Sequence, residues 1–228
     1  MPSLATFKRR WVQFSLRRLL FATLVVAVGL GTLGPPMRRA NEQRAVVAMV
    51  AKFGGAARYD FEDLRSWTGG PRHHPANNLW LRKLLGDDFF DRLVELEVGT
   101  PFYPYQSHTS AALDDDGFRL ITSLTDLRIL KVADSRLTDD GAKTISWLIN
   151  LEELQLSSPL ITGQTLEAVA HLPKLRRLTL RAPEITDSAV DKIGSMKHLQ
   201  QVDLRETNVS RKGLNRLHQL LPKTWIAH

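Results

Sequence analysis

From Leu127 onward the apolar positions of the chain fall on a lattice with a fixed interval. Leu127, Leu151, Leu175 and Leu199 are 24 residues apart, and Leu130, Leu154, Leu178 and Val202 keep step with them, as do Val132, Leu156, Leu180 and Leu204. The last two positions of each set alternate with polar residues, the pattern of a short strand buried on one side. Ten residues into each unit stands Leu137, Ile161, Ile185 or Val209, followed by the hydroxyl residue Thr138, Thr162, Thr186 or Ser210. A hydroxyl there predicts a helix N-cap whose oxygen accepts a hydrogen bond from an unpaired first-turn amide. The helices that follow carry apolar stripes at Ala142, Ile145 and Leu148, at Leu166, Val169 and Leu172, at Val190, Ile193 and Met196, and at Leu214, Leu217 and Leu220. One strand and one helix per unit cannot bury these sides alone, so the units must stack.

Upstream, Leu93, Leu96 and Val98 match the strand and Leu113, Phe118, Ile121 and Leu124 match the helix, but they lie ten residues farther apart than elsewhere. The reading is five units, with an insertion over 99–112 in the first. The region before it shares no period with the units. Ala45, Val46, Met49, Val50 and Phe53 share one helical face, closed by Gly54-Gly55, and Ala57, Tyr59 and Phe61 alternate as a strand. A loop holding Trp67, Gly69, Gly70, Pro71 and Pro75 leads to helical spacing through Leu79, Trp80, Leu84 and Leu85. These elements are expected to cap the first exposed face of the stack.

Composition changes the picture at the N-terminus. The net charge of +7 would suggest an anionic partner, but residues 1–58 hold 10 Lys/Arg against Glu42 alone, while residues 59–228 hold 21 Lys/Arg against 23 Asp/Glu. Nucleic acid is therefore not expected as a partner. Residues 19–34 are uncharged, follow Lys8, Arg9, Arg10, Arg17 and Arg18, and are closed by Pro35 and Pro36. Sixteen residues reach about 24 Å, short of the ~30 Å hydrocarbon core, unless the arginines snorkel and Phe14 and Leu16 extend the run. The expectation is one uncleaved transmembrane helix over 19–34 with the remainder of the chain outside the cytoplasm. Cleavage near Ala27 and Gly29, which would release a secreted product, is the alternative. Cysteine is absent, which excludes disulfides and thiolate metal sites.

These motifs resemble leucine-rich repeat proteins of bacteria, with 24-residue, ribonuclease-inhibitor-like units and an N-terminal FSLRxLL signal-anchor, here "FSLRRLL". The resemblance covers residues 14–34 and 93–228. It implies an α/β solenoid with a parallel sheet on the concave side and helices on the convex side, and it implies a platform for binding without specifying the ligand. The position where such repeats place Asn, Cys or Thr holds Ser135 and Thr207 but also Pro159 and Pro183, which interrupts any polar ladder there. The organisation expected is a basic tail (1–18), the anchor (19–34), a juxtamembrane helix and cap (35–92) and the repeats (93–228).

No phosphate loop, nucleophile elbow or HExxH motif is present, and no catalysis or cofactor is expected. "LDDDGF" at 113–118 lacks the spacing of a calcium loop, and its acids are the counterparts of Asp139 and Asp140 in the next unit, suited to a helix N-terminus. His73-His74 stands without nearby acids. Strand alternation names a binding face instead: Glu95, Glu97 and Gly99; Ile129, Lys131 and Ala133; Glu153, Gln155 and Ser157; Arg177, Thr179 and Arg181; Gln201, Asp203 and Arg205. Arg177, Arg181 and Arg205 are expected to converge on one anionic patch of a protein or acidic envelope polymer. The second candidate is the insertion, where Phe102, Tyr103 and Tyr105 offer aromatic anchors or else cover the first unit. The function expected is a membrane-anchored binding module outside the cytoplasm; an envelope enzyme and a self-associating scaffold are the alternatives.

Overall fold

The computed structural model describes residues 16–60, 79–99, 113–133 and 135–228, with the backbone alone at 16–22, 24–30, 79, 85 and 87. Two compact units divide the chain, Met1–Arg38 and Arg39–His228. The first helix, α1, runs Leu16–Lys52 with Pro35 and Pro36 inside it, so the prolines expected to close the apolar run do not end the helix. The transmembrane span expected over 19–34 is not found: among the described residues no helix is long and apolar enough to cross a membrane. The uncharged run is only sixteen residues, about 24 Å of helix, and arginines bracket it.

The second unit is built on one sheet of seven strands in chain order: β1 Ala56–Tyr59, β2 Leu93–Val98, β3 Ile129–Val132, β4 Glu153–Ser157, β5 Arg177–Arg181, β6 Gln201–Asp203 and β7 Trp225–Ala227. β1 is antiparallel to β2, and every later pair is parallel. Register follows the sequence interval, with Leu130 opposite Leu154, Leu154 opposite Leu178 and Leu178 opposite Val202. Leu96 stands opposite Leu130, 34 residues on, so the ten extra residues leave the ladder unshifted. β7 continues the array beyond the five expected units, with Val202 opposite Ile226. The signal was in the sequence, since Ile226 is 24 residues after Val202, but Lys223 and His228 stand where the flanking leucines would be.

The helices between strands are α4 Asp115–Ile121, α5 Asp139–Ala142 (continued as 3-10 helix through Trp147), α6 Thr165–Val169, α7 Val190–Ser195 and α8 Arg211–Leu220; α2 Leu79–Leu85 and α3 Asp87–Phe90 precede β2. The predicted stripes are buried, with Ile145, Leu148, Leu166, Val169, Leu172 and Ile193 at zero exposure beside the inward strand residues. At about 25 cal/mol per Å² of apolar surface, each such Leu or Ile contributes roughly 2 kcal/mol, which makes the continuous core the main source of stability. α2 has the expected helical spacing, but its Trp80 and Leu84 are exposed.

The cap is a helix and a strand, as expected, held by a residue that the apolar pattern did not mark. Val46 and Val50 enter the core and Ala45 is exposed, while Gln43, 2% exposed, takes a place on the buried face. Its amide donates to the Asp88 and Asp91 carbonyls, both at 3.0 Å, and its carbonyl accepts from the Leu93 amide at 3.1 Å. At the end of α1, Gly54 has φ +70, the Gly55 amide reaches the Val50 carbonyl and the Gly54 amide reaches that of Ala51, a Schellman closure.

Between units the hydroxyl positions behave differently from expectation. Ser210 caps its own helix, accepting from the Gly213 amide, and Thr162 accepts from the Gln164 amide at 3.2 Å, but Thr138 and Thr186 make no such bond. Instead an Asp one residue short of a full unit upstream accepts from both the amide and the hydroxyl. Asp115 takes Thr138 at 2.8 and 2.7 Å, Asp139 takes Thr162 at 2.9 and 2.7 Å, and Asp187 takes Ser210 at 2.7 and 2.6 Å. A charged acceptor on two donors is a stronger link than a hydroxyl cap and ties each unit to the next. Gly163 occupies the Asp position of the remaining unit, and Thr186 turns to Ser188.

The expected interruption of the polar edge at Pro159 and Pro183 is partly repaired. Ser135 donates to the Ser157 carbonyl, and Ser158, beside Pro159, donates to that of Leu137.

Candidate binding face of the sheet

The strand side chains that point away from the helices form rows set by the register. One row reads Glu95, Ile129, Glu153, Arg177, Gln201 and Trp225; the next reads Glu97, Lys131, Gln155, Thr179, Asp203 and Ala227. Ser157 and Arg181 stand opposite each other in a third. Neighbours within a row are about 4.8 Å apart, and rows two residues apart along a strand are nearly 7 Å apart. The named face residues are thus brought together on one surface, while their inward neighbours Leu130, Leu154, Leu156, Leu178 and Leu180 are at zero exposure.

The three arginines expected to converge on one anionic patch are not left open to it. Arg177 and Arg181 lie on one strand, four residues apart, and Arg205 lies beyond the end of β6. Each has an acidic partner on this chain. Arg177 stands opposite Glu153 and holds its Oε2 through Nε and Nη2 at 2.6 and 2.5 Å. Arg205 grips Asp203 through Nε at 3.0 Å to both oxygens and through Nη2 at 2.6 Å. Arg181 Nη1 lies 3.5 Å from Glu206, while its Nε is buried without a hydrogen-bond partner. Arg177 and Glu153 follow the preference of sheets for opposite charges across strands, and with the other two pairings they leave the patch close to neutral.

The same holds at the capped end, where Glu95 takes Arg58 at 3.0 Å and Lys131 at 3.3 Å. Asp203 is 4% exposed. Burial raises its pKa, but the hydrogen bonds from the Arg205 side chain and amide, with the charges of Arg205 and Arg181, prevail and hold it below the ordinary carboxylate value. Arg205 is raised in turn, first by its hydrogen bond to Asp203 and then by that charge.

Trp225 was missed by the alternation argument because β7 was not foreseen. It is 58% exposed and stands next to Gln201 in the first row, the aromatic residue of this face among the described residues. Phe102, Tyr103 and Tyr105 of the insertion lie outside the described residues, as do His73 and His74. The acids of "LDDDGF" have structural partners: Asp114 accepts from the Gly117 amide at 2.9 Å and Asp115 holds Thr138. Among the described residues no group of three or more His, Asp or Glu could hold a metal ion. A cleft of about 340 Å³ opens at the N-terminal ends of the strands, lined by Glu152, Pro173, Lys174, Arg176, His198 and Gln200, three of which immediately precede Glu153, Arg177 and Gln201 of the first row.

Parallel strands at 24-residue steps from β3 onward, joined by helical connections, constitute the solenoid architecture expected of leucine-rich repeats. Comparison with known proteins finds likeness at the level of structure. The chain is similar to an internalin from Listeria monocytogenes at 18% identity, over 47% of this chain and 30% of that one, with a TM-score of 0.37. It is also similar to a leucine-rich repeat protein of Leptospira interrogans at 23% identity, over 48% of this chain and 33% of that one, with a TM-score of 0.34. The matched part spans about a third of the length of each. No family model and no curated protein matches the chain.

Proposed function

We propose that this protein is a binding module rather than an enzyme, and that the sheet face opposite the helices receives another macromolecule of the cell envelope. The observation that carries this reading is the face itself. Polar side chains from five strands are placed in register, with Trp225 on a sixth, and most of the charges are held by partners on the same chain, which removes ordering cost before a ligand arrives. The contact residues are Lys131, Glu153, Gln155, Arg177, Thr179, Arg181, Gln201, Asp203 and Arg205, with Phe102, Tyr103 and Tyr105 of the insertion as a second contact. The basic tail and the uncharged stretch 19–34 support attachment to a membrane, with the repeats outside the cytoplasm.

Photo-crosslinking amino acids placed at Gln155 and Thr179 of the full chain, expressed in bacterial cells, are expected to give discrete adducts. The same groups at Arg119 and Arg216, on the helices, are expected to give none. Equal adducts from both faces would remove the sheet face from consideration. Carbonate washing of membranes tests attachment, with retention of the full chain and release of a chain lacking residues 1–38 as the expected result. Release of both would refute attachment.

A further inference from the structure

We infer that the C-terminal half of the sheet face takes a neutral carbohydrate chain, with Trp225 as its stacking platform. This rests on the reading of that face as the binding surface. The row Glu153, Arg177, Gln201, Trp225 crosses four adjacent strands. Three strand spacings make it roughly 14 Å long, enough for a short run of sugar rings. At its end the Trp225 indole is 58% exposed, while Ile226 beside it packs against the core, so the strand is anchored and the ring is not consumed by packing. A pyranose presents one face of C–H groups, which is attracted to the negative face of an aromatic ring.

The remaining residues of this region supply the polar half of such a site. Gln201 offers a donor and an acceptor, Thr179 a hydroxyl, and the Arg177 and Arg205 guanidiniums planar donors whose orientation is set by Glu153 and Asp203. Both arginines remain about half exposed, so donors not engaged by the carboxylates face solvent. Charge decides against a polyanion. Each of Arg177, Arg181 and Arg205 already has a carboxylate on this chain, which an anionic ligand would have to displace. A neutral polyol hydrogen-bonds to the paired groups without separating them. An apolar protein hot spot is equally poorly matched, since the single indole has Gln201 beside it and the face beyond carries Thr179 and Gln155 rather than further apolar side chains.

The test is isothermal titration of the purified full chain with cellohexaose, chitohexaose, maltohexaose and oligogalacturonate. At least one neutral hexaose is expected to bind with little dependence on salt. Trp225→Ala is expected to weaken it about tenfold or more, Trp225→Phe to retain most of the affinity, and both to melt within a degree or two of the parent. Binding by Trp225→Ala equal to the parent overturns the site. Binding of oligogalacturonate alone, falling steeply with salt, overturns the neutral ligand. Failure of every oligosaccharide alongside persistent protein adducts from Gln155 and Thr179 overturns the carbohydrate and leaves the face standing; failure of both removes the two readings together.

Discussion

The Asp that ties each unit to the next constrains the residue that faces it in the following helix, and that coupling can be measured. Where the upstream position is Asp115 or Asp187, the residue 26 positions later is Gly141 or Gly213, and a β-carbon on either glycine would overlap the carboxylate. Where it is Asp139, the residue is Thr165, whose amide and hydroxyl both donate to the carboxylate, at 3.1 and 2.5 Å. Where the Asp is missing, at Gly163, the later residue is Ala189, and a β-carbon on Gly163 would lie 3.8 Å from that of Ala189, an ordinary contact.

Gly163→Asp combined with Ala189→Gly should therefore complete the ladder, giving Thr186 the two bonds that Thr138 and Ser210 enjoy. Hydrogen bonds to a charged group are worth about 1.5–3 kcal/mol when buried, and solvent at this edge reduces the pair to roughly 1–2 kcal/mol. Glycine at 189 costs about 0.5–1 kcal/mol, so the double variant should gain up to about 1 kcal/mol, or roughly 2–4 °C in Tm. In Gly163→Asp alone the β-carbon fits but the carboxylate would press on the Ala189 β-carbon, as those of Asp115 and Asp187 would on a β-carbon at Gly141 or Gly213, and the variant should gain nothing. Urea unfolding of the full chain, followed by circular dichroism, gives all four corners of the cycle, with an expected coupling of about 1 kcal/mol or more. Additive effects, or a single Gly163→Asp as stable as the double variant, would refute the mechanism.

Other consequences follow from the same geometry. Leu154→Asp places a carboxylate at a site of zero exposure between two units and should unfold the array, a cost above about 4 kcal/mol, whereas Glu153→Ala on the open face should change urea stability by under about 1 kcal/mol; similar losses in both would overturn the assignment of sides. Gln43→Ala leaves two carbonyls and the Leu93 amide without their partner and should cost about 2–3 kcal/mol, seen as faster amide exchange in β1 and β2 than in β5; uniform exchange would contradict it. Asp139, Asp187 and Asp203 all have pKa values below the ordinary carboxylate range, the first two through hydrogen bonds from the next unit, against burial in the case of Asp139. A lowered folded-state pKa stabilises above the unfolded value and is lost on acidification, so stability should be flat from neutral pH to about 5 and fall below about 4, less steeply in Asp139→Asn; a fall centred near pH 6 would point to histidine instead.

The repeat fold was legible in the sequence because a 24-residue interval leaves one way to bury both the strand and the helix stripe, and the observed register copies that interval residue by residue. Inside and outside were legible for the same reason, since alternation along a strand is steric. Three things needed the tertiary structure. The sixth repeat strand escaped because only Ile226 keeps the pattern, the rest being supplied by pairing with β6. The function of the Asp positions escaped because an acid at the start of a helix reads locally as a dipole partner, and only stacking brings Asp115 against Thr138 of the following unit. The arginines read as a cationic patch because a sequence counts charges along the chain, whereas the sheet sets Arg177 beside Glu153 across strands and the bend after β6 folds Arg205 back onto Asp203. Periodicity determines which residues share a row; which of them neutralise one another depends on distances across rows, which a one-dimensional pattern does not contain.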